Sequence, residues 1–370
     1  AQITPRSPRR RPARPRRPDG VIMRTSPSSV PSRRSVLRGA LALGGLGLVS
    51  PVLVACGSDA TTASQSGGGG GAVGAGKTIG ISLNGLVEYT KQVTQGVAKA
   101  MEGTEYELKV VQANFDVQTE LKNLESLISQ GVDGLVILPN TVDTVLTGVK
   151  QAKQSDIPSA VALWAAPGPL DEYVAGVSFV DSIGGGTMIG EWLKQNAKPG
   201  KVIVVQGVVG QGFSERIDQG LDKALEGTDF KIVVREQGYF DRTKAIGVVE
   251  RALQAHPDAT TIVSYAAAMG NGVASYLKQN NITNITHVTS DADTEMLDWL
   301  GTPYLAATRY YSAAETGLLA GRTVRAALEG GTPTFENKVF QDMMTTSNKD
   351  KLLATSPLSY PEFDDVLKGL

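Results

Sequence analysis

Gln130-Gly-Val-Asp-Gly-Leu-Val-Ile-Leu-Pro139 is the stretch that decides the fold. Ahead of it, Leu121, Leu124, Leu127 and Ile128 recur at helical spacing, and behind it Val145, Val149 and Ala152 do the same. Between the two lies Leu135-Val-Ile-Leu138, which lacks the polar alternation of a strand with one wet face. The strand it forms is therefore buried on both faces, as in a parallel sheet covered by helices.

The same grammar extends outward in both directions. Strands are expected at 78 to 83, 107 to 112, 134 to 138, 159 to 163, 174 to 179, 201 to 206, 231 to 236, 260 to 265, 285 to 289 and 304 to 309. Amphipathic helices lie between them, around Val93 to Met101 and then at 183 to 196, 215 to 226, 243 to 255, 270 to 280 and 312 to 329. Strand and helix alternating this often make an α/β fold of right-handed crossover units. About 290 folded residues exceed what one core holds comfortably and suit two lobes.

In open parallel sheets, ligands sit beyond the carboxyl ends of the strands. Reading those ends in order gives Asn84, Glu88 and Tyr89; Asn114 and Asp116; Asn140; Trp164; Arg216; Phe240 and Asp241; Tyr265; Asp291; and Arg309, Tyr310 and Tyr311. Rings and charged hydrogen-bonding groups are interleaved there. Asp291 has a second reading as a helix N-cap, and Trp164 as a tryptophan packing a loop on the lobe surface.

The first 76 residues have a different character. Ser32-Arg33-Arg34-Ser35-Val36-Leu37-Arg38 supplies twin arginines, and Gly39 to Val54 supplies an apolar run too short and glycine-rich for a membrane span. The run ends in Leu53-Val54-Ala55-Cys56. Together they resemble a twin-arginine export signal, residues 1–55, closed by a lipoprotein box. Cys56 would then carry the lipid, and residues 56–76, rich in Gly and Ser, would be a flexible tether. Residues 1 to 22 read as upstream sequence, with the expected start at Met23.

Gly71-Ala-Val-Gly-Ala-Gly76-Lys77-Thr78 matches the phosphate-loop pattern letter for letter. A working loop needs a strand before it and a helix after it. Here a five-glycine run precedes it and a strand pattern follows, so nucleotide binding is not expected.

Composition removes other classes. Eleven of the 36 basic residues but only one of the 37 acidic ones lie in the first 55, so the remainder is acidic by eleven charges with histidine neutral. That argues against nucleic acid and against an anionic membrane face, leaving the lipid as the only expected membrane contact. One Cys excludes a disulfide within the chain, and two His exclude a histidine-rich metal site. No G-x-S-x-G elbow or paired nucleophile and histidine stands out, so no catalytic residues, metal or cofactor are expected.

The order of these pieces resembles the type I periplasmic binding proteins of sugar uptake. The likeness rests on Gln130 to Pro139, on Asp181-Ser-Ile-Gly-Gly-Gly186 opening a helix, on Phe240-Asp241-Arg242, and on Thr289-Ser290-Asp291 after the ninth strand. It implies two similar lobes joined by a three-segment hinge: 77–177 with 312–341, and 178–311 with 342–370. It implies a lipid-anchored, extracytoplasmic, monomeric component of an ABC importer, whose permease and ATPase are separate chains. A sensory receptor of the same fold is the alternative.

Tyr89, Phe240 and Asp291 fall at the family's stacking and anchoring positions. Arg216 lies one residue from its ligand arginine, and Tyr311 replaces an amide. Trp164, Tyr89 and Phe240 would stack on a sugar or polyol, while Glu88, Asn140, Arg216, Tyr265, Asp291 and Tyr311 complete the expected site. Leu163-Trp164 stands where Asp-Arg is usual, and Ala266-Ala267 where Asn-Asp is usual. Either Glu88, Asn140, Asp116 and Arg309 replace the missing anchors, or the ligand carries fewer hydroxyls and more ring surface.

Overall fold

The computed structural model describes residues 73–163, 168, 170–368 and 370. The expected export signal, Cys56 and Trp164 lie outside them. Two six-stranded sheets share one order. The first runs β2 (Glu107–Gln112), β1 (Thr78–Leu83), β3 (Gly134–Leu138), β4 (Ser159–Leu163), β5 (Gly176–Phe179), β11 (Glu336–Lys338). The second runs β7 (Lys231–Gln237), β6 (Lys201–Gln206), β8 (Ala259–Ser264), β9 (Thr286–Ser290), β10 (Ala307–Tyr311), β12 (Gln341–Met344). Every pairing is parallel except that of β10 with β12. All five residues of β3 are buried, as expected of a strand covered on both faces.

Each lobe is closed by a pair of helices that touch backbone to backbone. In the first, α1 (Glu88–Ala100) meets α9 (Ala313–Leu328). A Cβ on Gly96 would stand 1.9 Å from the Ala314 carbonyl oxygen, and one on Gly317 would stand 1.8 Å from that of Val93. In the second, α4 (Ser182–Asn196) meets α5 (Phe213–Leu225), with Gly186 against Ile217 and Gly220 against Ile183 in the same reciprocal way. Any side chain at these glycines would force the helices apart. The glycine-rich start of α4 thus serves close packing, with Asp181 as its cap accepting from the Gly184 N–H. The described part of the phosphate-loop pattern, residues 73–78, leads directly into β1 and not into a helix, which is not phosphate-loop geometry.

The chain passes between sheets three times: after β5, after β10, and between β11 and β12. The tail corrects one expectation, since 342–370 does not stay with the second lobe. α10 (Lys349–Thr355) packs Leu352 against Met296, Leu300 and Tyr310 of that lobe. The chain then runs past the second crossing, where the Tyr310 hydroxyl donates to the Ser356 carbonyl and the Ser312 hydroxyl to that of Pro357. A final 3-10 helix, Pro361–Leu367, docks on α1. There the Tyr360 N–H donates to Gln95 at 3.1 Å, and Lys99 lies over the rings of Tyr360 and Phe363.

His287 on β9 is structural, as its place inside a strand suggests. It is wholly buried, with Nδ1 2.8 Å from the Tyr304 carbonyl and Nε2 3.0 Å from the Ser264 hydroxyl. Burial pushes its pKa down from 6.5 to about 4. A depressed folded-state pKa contributes stability that is present above 6.5 and lost as pH falls towards 4, by about 3 kcal/mol. Urea unfolding of wild type and His287→Gln between pH 7 and 4.5 should show the wild type losing more of its stability. Parallel profiles would contradict this role.

Candidate functional site

The loops that follow the strands of both sheets face one cleft, and two of them are near copies. After β2, Asn114-Phe115-Asp116 places Phe115 at φ 60°. After β7, Tyr239-Phe240-Asp241 places Phe240 at φ 56°. A left-handed backbone is uncommon for a non-glycine residue, and such strain gathers at functional sites. In each loop the aspartate caps the next helix: Asp116 accepts from Thr119 at the start of α2 (Val117–Ser129), and Asp241 from Lys244 at the start of α6 (Arg242–Ala255). In each, the ring lies over a glycine. A Cβ on Gly85 would fall 2.4 Å from Phe115, and one on Gly207 would fall 2.2 Å from Phe240. The geometry offers two jaws, one ring per lobe.

Both rings line a cavity of about 120 Å³, comparable to the roughly 150 Å³ void that holds a benzene ring. Tyr89 and Tyr311 line it near the second crossing, edge to face with centroids 6.2 Å apart. Phe213, at the first position of α5, lies 5.9 Å from Phe240. Burial raises the hydroxyl pKa of Tyr89 to about 12 and that of Tyr311 well above the ordinary value, so both stay protonated. Besides the two tyrosines, the polar lining is Asn84, Glu88, Thr90, Gln211, Asp291 and Asp293.

Asp291 is buried, at φ 55°, and accepts from the Ala267 N–H at the start of α7 (Ala267–Gln279). It caps that neighbouring helix, while Asp293 caps the helix that follows, α8 (Thr294–Trp299). Burial, reinforced by the nearby Asp293, raises the pKa of its carboxyl well above the ordinary value; the Ala267 N–H and Arg309 pull the other way.

Of the expected residues, Glu88, Tyr89, Phe240, Asp291 and Tyr311 meet at this cavity. Three do not, and their environments say why. Arg216 is exposed on the outer side of α5, whose first turn presents Phe213 instead. Tyr265 is core, its hydroxyl bonded to Asp218. Asn140 is held behind the cleft, its backbone N–H and side-chain amide both donating to the buried Glu120. Phe115 was legible in principle, because an aromatic-aspartate pair recurs after the second strand of each lobe.

Arg309, one of the strand-end residues, does not line the cavity and has an unexpected setting. It is fully buried, none of its three guanidinium nitrogens has a hydrogen-bond partner, and its Cζ lies 4.5 Å from the centroid of the Tyr311 ring. A Cβ on Gly185 would strike it, so that glycine makes its room. Burial lowers its pKa, opposed by the fields of Tyr311 and Asp291.

These features meet a family assignment. The sequence matches the periplasmic binding protein domain over residues 79–332. The chain belongs to that family. It is 29% identical to the ribose import binding protein of Salmonella typhimurium over 48% of this chain and 59% of that protein. It is 25% identical to the xylitol-binding protein of Mycolicibacterium smegmatis over 68% and 69%. The chain thus aligns with little more than half the length of the Salmonella relative. Two solved structures share the fold at TM-scores of 0.69 and 0.70, each at 20% identity. One is a galactofuranose binding protein, covering 76% of this chain and 98% of that one. The other is the arabinose ABC transporter component of Shewanella sp. ANA-3, covering 80% and 99%.

A buried charge without hydrogen bonds keeps a desolvation cost of several kcal/mol, offset here only by the Tyr311 ring and the field of Asp291. Arg309→Met should therefore leave the unliganded protein's thermal midpoint unchanged or raised. A drop of several degrees would show that the guanidinium is partnered.

Proposed function

We propose that this protein is the substrate-binding component of an ABC importer, capturing a sugar, polyol or similar small ligand between its two lobes and delivering it unaltered. One observation carries the reading: rings from both lobes, Phe115 and Phe240, converge on a cavity floored by Tyr89, Tyr311 and Asp291. A ligand there touches both lobes at once only when they are together, so its binding energy shifts the population towards the closed form. A ring face suits the C–H face of a sugar, and a carboxylate suits its hydroxyls.

The ribose- and xylitol-binding relatives support this chemistry. The stacking role expected of Trp164 belongs to the same proposal. So do export through the twin-arginine signal, anchoring at Cys56 on the outer face of the cytoplasmic membrane, and action as a monomer with a separate permease and ATPase.

The test is a thermal-shift screen of the purified protein against sugars, polyols and aromatic metabolites, with each hit recovered and its mass measured. A neutral or amine-bearing sugar or polyol should raise the midpoint and return unchanged. Stabilisation by aromatic acids or nucleosides alone would remove the carbohydrate reading, and a chemically altered product would remove the reading of a pure binder.

A further inference from the structure

The charges facing the cavity are of one sign. Glu88, Asp291 and Asp293 line it, and among the described residues no lysine, arginine or histidine does. Lys91 lies 3.8 Å from Glu88 and offsets part of its charge, and Arg309 is buried against the Tyr311 ring. Asp293 accepts from the Asn271 amide and the Met296 N–H, while the more buried Asp291 accepts from the Ala267 N–H; a cation beside it favours its ionised form against the burial that raises its pKa.

Among the described residues that line the cavity, one buried side-chain polar atom has no partner. Asn84 lines the cavity at 8% exposure. Its amide nitrogen already donates to the Pro139 carbonyl, while its Oδ1 has no partner. A buried acceptor left unpaired costs about 1–3 kcal/mol, so the site is completed by a donor. At the positions where the resemblance expects Asp-Arg and Asn-Asp, the second pair is Ala266-Ala267, which presents methyl groups to the cavity.

Around these acceptors stand five rings: Tyr89, Phe115, Phe213, Phe240 and Tyr311. Aromatic faces attract cations, by about 2 kcal/mol or more once both are desolvated. A neutral sugar can hydrogen-bond to these groups but brings no positive charge to set against the carboxylates and the ring faces. An ammonium group is all donor and suits rings and carboxylates alike.

We propose that the ligand is a small organic cation, an amino sugar or amino polyol whose ammonium group sits among these rings and is held by Asp291 and Asn84. The inference rests on the reading of a sugar-capturing clamp and sharpens its ligand class. Phe115 and Phe240 close over the carbon skeleton, and the unpaired Asn84 oxygen takes one ammonium hydrogen. Arg309 already lies over the Tyr311 ring and its field reaches Asp291, so the ammonium is placed against Asp291, Asn84 and the rings other than Tyr311.

Isothermal titration against matched sets tests this: glucose, glucosamine, N-acetylglucosamine and gluconate; xylitol and an aminopentitol; and choline as the bare cation. The expected result is binding at least tenfold tighter for an amine than for its neutral parent, with the acetylated and acidic members weaker still. Asp291→Asn should remove that preference while circular dichroism and the thermal midpoint show an intact fold. Equal or tighter binding of a neutral parent would overturn the cation while leaving the clamp standing. Tightest binding of the acid, or binding by no cation in the set, would also overturn it, and the clamp is then judged by the broader screen alone. Retention of the amine preference by folded Asp291→Asn would contradict the role given to that carboxylate.

Discussion

Two parallel sheets joined side by side by three chain crossings impose one constraint from which the rest follows. A parallel strand must send its chain out at the carboxyl end and bring it back by a helix. All the loops that follow strands therefore gather on one edge of each sheet. With two such edges facing each other across the crossings, residues far apart in sequence, such as Phe115 and Phe240, meet at one cavity. The crossings also place Tyr311 and Arg309 at the base of the cleft, on the strand just before the chain leaves the second sheet.

The lobes are built as a repeat in detail as well as in outline. Both use reciprocal glycines to bring two helices into backbone contact, at Gly96 and Gly317 in one and Gly186 and Gly220 in the other. Both hold a phenylalanine in a left-handed backbone over a glycine, followed by a capping aspartate. Rigid packing within lobes and a cavity between them concentrate adaptability at the crossings. The tail adds a tie of its own. It leaves the second lobe through Ser356 and Pro357, bonded to hinge residues Tyr310 and Ser312, and ends on α1 of the first.

The sheets were legible because continuous apolar runs such as Val202 to Val205 leave no other place for those residues, and the ten expected strands all form. β11 and β12 escaped notice because Glu336-Asn-Lys338 and Gln341-Asp342 carry no apolar pattern; edge pairing makes them strands. At the site, residues with a distinctive local setting were readable: Phe240 and Asp291 at strand ends, and Tyr311 at a crossing. Arg216 and Tyr265 were misplaced by one helical turn or one strand face, a shift of a few ångströms that a sequence does not record. Arg309 stood in the series of strand ends, yet its burial beneath Tyr311 depends on the space left by Gly185 from another lobe segment, a tertiary fact.

Closure of two lobes over a ligand is the claim on which the functional account stands, and small-angle X-ray scattering measures it directly. With a ligand confirmed to bind, the account predicts that the radius of gyration falls on saturation and that the change is lost when Phe115 and Phe240 are both replaced by alanine. An unchanged scattering curve at saturation would contradict a clamp and leave a static pocket in its place.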